Sequence, residues 1–164
     1  FSDFARMPKP LFKRNDLIEI ILTNLELLKK IDNEVSINLS RKDKLFINCD
    51  YEQVSRAFFN LVKNSIESIN EKVKKTSNNT KIIDIEIKER RDYIVLNITD
   101  NGIGFPNLNA KNLTKPYFTT KQKGSGLGLS IVNKIINDHN GSIKFINQKD
   151  GAKIQIILPI NHDN

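Results

Sequence analysis

Gly124-Ser125-Gly126-Leu127-Gly128-Leu129-Ser130-Ile131-Val132 sets three glycines at alternate positions and runs straight into an apolar-periodic segment. Glycines leave backbone N–H groups uncovered, and the apolar residues Leu127, Ile131, Ile135 and Ile136 recur at helical spacing. Such a helix aims the positive end of its dipole at the glycines. The stretch reads as a seat for phosphate. It is neither a Rossmann fingerprint nor a Walker loop, because no strand leads straight into it and no Lys-Ser or Lys-Thr pair closes it. Just upstream, Lys115-Pro116-Tyr117-Phe118-Thr119-Thr120-Lys121 is polar and hydroxyl-rich, with Phe118 as an aromatic anchor, and reads as a mobile lid. Lys115, Lys121 and Lys123 stand where phosphates need neutralising.

Outward from this seat, the chain alternates helical and strand patterns. Pro8 and Pro10 break any helix that continues from Phe1–Met7 and mark a boundary. Leu17, Ile18, Ile21, Leu25 and Leu28 predict a helix over 15–30, with Asn15 as its cap. Val35–Leu39 and Leu45–Ile47 alternate like strands around the polar turn Arg41–Lys44 and predict a hairpin. Asp50 is placed to cap a long amphipathic helix carrying Val54, Ala57, Phe58, Leu61, Val62, Ile66 and Ile69. Asn60, Asn64 and Glu67 share one side of that helix, a pattern that ordinary solvated surface also produces.

After a polar stretch at Lys74–Thr80, Ile82–Ile87 and Tyr93–Ile98 are two alternating runs joined at Arg90-Arg91-Asp92. The second ends in Asp100-Asn101-Gly102-Ile103-Gly104. These are turn formers, but a carboxylate ending a buried strand, followed by glycines that admit a flat group, also suits an adenine pocket. Asn107–Asn112 predicts a short helix. Beyond the glycine run, Asn140-Gly141 is a helix stop, and Ser142–Asn147 with Lys153–Leu158 form a last hairpin. Helices mixed with antiparallel strands predict an α+β two-layer sandwich, with a largely antiparallel mixed sheet packed on helices.

The chain has 164 residues, enough for one domain. It contains no apolar run long enough to cross a membrane and no signal-peptide pattern. It opens on Phe1 rather than methionine, so an upstream portion, membrane anchoring included, is expected. A single cysteine, Cys49, suits a reducing compartment and reads as a small residue at a strand end. The net charge of +7 is scattered rather than gathered in a basic stripe interleaved with aromatics, which argues against direct nucleic-acid binding.

Four pieces occur in one order: Asn60-Leu61-Val62-Lys63-Asn64, Asp100-Asn101-Gly102-Ile103-Gly104, Pro116-Tyr117-Phe118-Thr119-Thr120-Lys121 and Gly124–Leu129. Together they resemble the N, G1, F and G2 boxes of the catalytic and ATP-binding domain of sensor histidine kinases, within the wider gyrase, chaperone and mismatch-repair ATPase superfamily. Phe1–Pro10 and the Thr119-Thr120-Lys121 lid resemble the nitrogen-regulation subgroup.

The resemblance implies ATP and Mg²⁺ as ligands. Asp100 would accept a hydrogen bond from the adenine amine, where guanine would oppose an acceptor with an acceptor. Gly102, Ile103 and Gly104 would border the base. Asn64 would give an amide oxygen to Mg²⁺, and Asn60 would orient the triphosphate or the metal's waters. Hydrolysing superfamily members carry an acid matching Asn60 as general base, so asparagine there favours phosphoryl transfer. Glu67 would contact the metal's waters. Thr119, Thr120 and Lys121 would reach the β and γ phosphates, with Lys121 stabilising charge on the transferring group, and Gly124, Ser125, Gly126, Leu127, Gly128 and Leu129 would seat the phosphates.

Neither His139, at a helix end, nor His162, in a polar tail, fits a phosphoacceptor. The acceptor is expected upstream, with residues 1–10 a linker from a dimerisation domain and 11–164 the catalytic domain. The implied partners are that domain and a response regulator. The implied setting is the cytoplasmic part of a membrane-anchored kinase, in which the isolated domain is monomeric and the full kinase homodimeric. A nucleotide-sensing module without transfer activity, an ATPase acting on DNA and a serine-directed kinase of the same superfamily stay open.

Overall fold

The computed structural model describes residues 7–105 and 127–162, apart from the side chain of Leu127. The expectations for the linker at 1–6, the helix at 107–112, the lid and Gly124–Gly126 lie outside them. The described elements are β1 (Lys13–Asp16), α1 (Leu17–Ile31), β2 (Ser36–Leu39), β3 (Phe46–Cys49), α2 (Tyr51–Lys75), β4 (Ile82–Glu89), β5 (Tyr93–Asp100), α3 (Leu127–Asp138), β6 (Ser142–Gln148) and β7 (Gly151–Pro159). They form a two-layer α+β sandwich, a five-stranded mixed sheet in the order β2-β4-β5-β7-β6 against helices, as the sequence predicts.

Strand alternation builds the buried face. Ile83, Ile85 and Ile87 of β4, Ile94, Leu96 and Ile98 of β5, and Ile154, Ile156 and Leu158 of β7 all point inward. Register stacks them into rows, such as Ile85 opposite Ile98 and Ile98 opposite Ile154. Against these rows pack Leu61, Val62, Ile66 and Ile69 of α2 and Val132, Ile135 and Ile136 of α3. Each such side chain contributes roughly 1.5–3 kcal/mol when fully buried, so this face decides which side of every strand looks inward.

The predicted hairpin of Val35–Leu39 with Leu45–Ile47 does not form. β2 instead pairs in parallel with β4, and β3 pairs with β1 in a separate two-stranded sheet. The two ends are held by different elements: Arg41, which also folds the turn through the carbonyls of Asp43 and Lys44, binds the carboxylate of Glu89 on β4, while Leu45 N–H donates to Asp16 Oδ1 at 3.0 Å. β1 carries no apolar alternation and is held by backbone pairing, which is why periodicity misses it. Asp16, not Asn15, caps α1 through Ile18 N–H, and Asn15 bonds the Cys49 carbonyl across the small sheet.

Asp50 does cap α2, receiving Gln53 N–H at 3.1 Å. Its other oxygen takes Leu11 N–H at 2.9 Å, and Gln53 Nε2 donates to Pro8 O, so one helix start holds the incoming chain. His139 ends α3 and is buried, with Nδ1 on the Ile135 carbonyl and Nε2 accepting Asp50 N–H. Burial pushes its pKa down, so it serves as a neutral junction and not as a cation on the helix dipole. Asn140 takes a positive φ of 59° and Gly141 N–H returns to Ile136 O, closing α3 where the sequence predicts. His162 is not free tail: it stacks on Phe12 with ring centroids 3.8 Å apart and meets the Asn48 carbonyl.

Candidate active site: a carboxylate in an apolar row

Asp100 falls on the inward face of β5, in step with Ile94, Leu96 and Ile98. Across the sheet it faces Ile83 on one side and Ala152 on the other. An isoleucine there would add to the core; a carboxylate costs free energy unless something binds it. Burial raises its pKa above the ordinary value, opposed by the Gly102 N–H at 2.9 Å, the Ser65 hydroxyl, the Ala152 backbone and the more distant Lys72. Such a group is poised for a ligand that donates a hydrogen bond.

The cavity beside it holds about 610 Å³ of empty space, part of it open to solvent. Asn64, Ser65, Ser68 and Glu71 of α2, Ile103, Gly104 and Phe105 after β5, Leu129 in the first turn of α3, Phe145 of β6, and Ala152 with Ile154 of β7 line it along with Asp100. A wall of apolar side chains with a few converging polar groups suits a flat heterocycle with a polar edge. Small Ala152 keeps the space over the carboxylate open.

Of the residues singled out from sequence, the structure brings Asn64, Asp100, Ile103, Gly104 and Leu129 together on this cavity. Asn60 lines a second groove with Asn24, Tyr51 and Phe59, and Glu67 is half-buried on α2 between the lining residues Asn64 and Ser68 without being one of them. Gly102 is buried against α2: a Cβ on it would meet Ser68 Oγ and come within 2.8 Å of the Ser68 backbone, so helix packing demands this glycine. Gly104 has φ +77° and needs glycine for its backbone. Among the described residues, a Cβ on Gly128 would meet nothing within 4 Å, so none of them gives that glycine a packing reason. Thr119, Thr120, Lys121, Gly124, Ser125 and Gly126 lie outside the described residues, as does the Leu127 side chain.

The lining residues Glu71, Phe105, Phe145, Ala152 and Ile154 escape a sequence reading of the site, and so do four residues that shape it. Ser65 supports Asp100, Ser68 Oγ accepts Ile103 N–H at 3.0 Å, Asn147 bonds the Phe105 backbone, and Gly151 passes so close to Asp100 that a Cβ would strike its carbonyl. The two serines lie on the α2 side that also carries Asn64, a detectable signal; Asn147 and Gly151 read only as hairpin residues. Cys49 is buried at its strand end, its thiol pushed up to about 11 by desolvation, and so is unreactive.

A carboxylate buried at the end of a strand, beside a cavity bordered by the first turn of a helix that follows a glycine run, defines a nucleotide-binding class. Residues 49–162 match the model of the histidine kinase-, DNA gyrase B- and HSP90-like ATPase family, and the chain belongs to that family. It is similar to the nitrogen regulation protein NtrY of Azorhizobium caulinodans, 36% identical over 160 residues that cover 98% of this chain and 21% of NtrY. It is also similar to sporulation kinase C of Bacillus subtilis, 30% identical over 99% of this chain and 38% of that protein. The catalytic domain of histidine kinase ThkA superposes with a TM-score of 0.75 at 27% identity, covering 92% of this chain and 96% of that one. The mycobacterial sensor histidine kinase MprB, at 22% identity and a TM-score of 0.77 over 91% of this chain and 97% of its own, shares the fold. The chain is thus an ATP-binding catalytic domain of the sensor histidine kinase type, and it spans well under half the length of these sequence relatives.

Proposed function

We propose that this domain binds ATP with the adenine amine on Asp100 and passes the γ-phosphoryl to a histidine on a dimerisation domain outside these residues. The observation that carries the reading is the Asp100 carboxylate, 6% exposed, set at the end of an apolar row and lining the same cavity as Asn64. A charge-assisted bond to the amine contributes about 1.5–3 kcal/mol, enough to offset part of the cost of burial.

The donor set fits Mg²⁺. No cluster of His, Cys, Asp and Glu able to cage a metal occurs among the described residues, but Mg²⁺ keeps most of its shell for water and phosphate and needs few protein oxygens. The Asn64 amide would hold it, and the ion would neutralise charge on the phosphates. Glu67 would accept from the metal's waters. Asn60, an amide, cannot take a proton from water as a carboxylate would, so the chain's own residues favour transfer over hydrolysis. In transfer, a bond forms from the imidazole nitrogen to the γ-phosphorus as the bond to the β–γ bridging oxygen breaks, and ADP leaves. Thr119, Thr120 and Lys121 would steady the phosphates, with Gly124, Ser125, Gly126, Leu127, Gly128 and Leu129 supplying the seat.

His139 is engaged in the Asp50 junction, which supports an acceptor elsewhere. We take residues 1–10 as the linker to a dimerisation domain, 11–164 as the catalytic domain, and a response regulator as the eventual phosphoryl acceptor; ThkA is described in complex with the response regulator TrrA. No helix among the described residues is long and apolar enough to cross a membrane. We place the domain in the cytoplasm, monomeric alone and dimeric through the upstream helices. The test is to incubate the chain with ATP, Mg²⁺ and the dimerisation domain of an NtrY-type kinase. Acid-labile phosphohistidine supports the proposal. Steady phosphate release stimulated by DNA, or labelled serine, without phosphohistidine would replace it.

A further inference from the structure

Phe105 is the last described residue before residues 106–126, and it follows the end of β5 without belonging to a strand. Its backbone is nonetheless satisfied on both sides by one side chain. Phe105 N–H donates to Asn147 Oδ1 at 2.7 Å, and Asn147 Nδ2 donates to the Phe105 carbonyl at 2.9 Å. Two antiparallel bonds, one to each peptide group flanking Phe105 Cα, fix the residue's backbone in rotation as well as in distance, which a single bond cannot do. Gly104 is shaped for the contact: its φ of +77° turns the chain toward β6, and a Cβ there would crowd Asn147 Oδ1 at 2.9 Å.

The same face of β6 carries Phe145 two residues earlier. Its ring meets Phe105 edge to face, with centroids 5.5 Å apart and planes at 87°, and both rings line the cavity beside Asp100. Asn147 sits opposite Ala152, another lining residue. On the far wall Ser68 pins Ile103 N–H, so the backbone leaving Asp100 is fastened first to α2 and then to β6. Asn147 itself is exposed, where water would satisfy Phe105 almost as well. A contribution to overall stability therefore does not account for so well-matched a pair of bonds.

We propose that Asn147 is a positioning residue of the nucleotide site: by clamping the Phe105 backbone to β6 it sets the Phe105–Phe145 wall at the spacing the base requires. This rests on the reading of the cavity as an ATP site. The test is calorimetric titration of the chain with ATP and Mg²⁺ for wild type, Asn147→Ala and Asn147→Asp, with thermal unfolding of each without nucleotide. Asn147→Asp keeps the size and one acceptor but opposes the Phe105 carbonyl with oxygen instead of N–H. Both variants are expected to raise Kd about five- to tenfold at unchanged stoichiometry, with Tm within about 2 °C of wild type. A Kd within twofold of wild type, or a fall in stoichiometry at constant Kd, overturns the proposal, the latter because it marks a purely structural residue. Failure of wild type itself to bind ATP would overturn the reading of the site instead.

Discussion

Asp100 and Ala152 stand opposite each other on β5 and β7, and both line the cavity. The pair joins a group that needs a ligand to one small enough to let the ligand in. The next inward-facing residues along their strands are Ile98 and Ile154, so the cavity is a local departure from an otherwise continuous apolar face.

Asp100→Asn separates binding from stability. The folded pKa of Asp100 is raised, so its charged form opposes folding, and the protonated form restores that stability as pH falls through the folded pKa. Without ATP, the wild-type protein should therefore melt below the Asp100→Asn variant at pH 7, with the gap shrinking on acidification. ATP affinity of the variant should fall by about tenfold or more. Thermal melts across pH and ATP titration check both arms, and equal affinity would remove Asp100 from the site.

Ala152→Leu fills the space beside the carboxylate. Overpacking costs roughly 1–3 kcal/mol, which the rest of the sheet can absorb. A folded variant by circular dichroism that no longer binds ATP is expected. Undiminished binding would place the base elsewhere.

Gly128→Ala and Gly151→Ala should move in opposite directions. Gly128 lies in α3 with no described residue within 4 Å of an added Cβ, so alanine should raise stability by about 0.5–1 kcal/mol. Any accompanying loss of ATP affinity then reports phosphate contact alone. Gly151 has φ +144° and presses on the Asp100 carbonyl, so alanine there should destabilise the hairpin by at least about 1–3 kcal/mol and disturb Asp100. Denaturant unfolding of the two variants tests the contrast.

His139 predicts an acid-sensitive junction. Its folded pKa lies below the ordinary 6.5, so the unfolded chain binds the proton more readily. The stability it contributes is complete above 6.5 and is lost as pH falls toward the folded value. Replacing it by glutamine should lower stability at about pH 7.5, where the bonds to Asp50 and Ile135 are disturbed, and should flatten the decline as the pH falls below 6.5. A decline as steep as that of wild type would assign it to other groups.

The sequence alone determined the two-layer architecture, because strand alternation and the 3.6-residue stripe of α2 fix which faces must be covered. It also marked Asp100 and Gly104, since a carboxylate breaking an apolar period and glycines breaking the backbone pattern are visible without coordinates; Asn64, Ile103 and Leu129 were marked only through the resemblance to the kinase boxes. Only tertiary structure decided that β2 joins β4 and leaves β3 to β1, that Asp16 caps α1, and that Gly102 serves α2. It alone brought Asn147 to Phe105 across 42 positions of chain. Periodicity reports what a segment must bury; it carries no information on which distant backbone will meet a polar side chain, and those meetings are what shape this cavity.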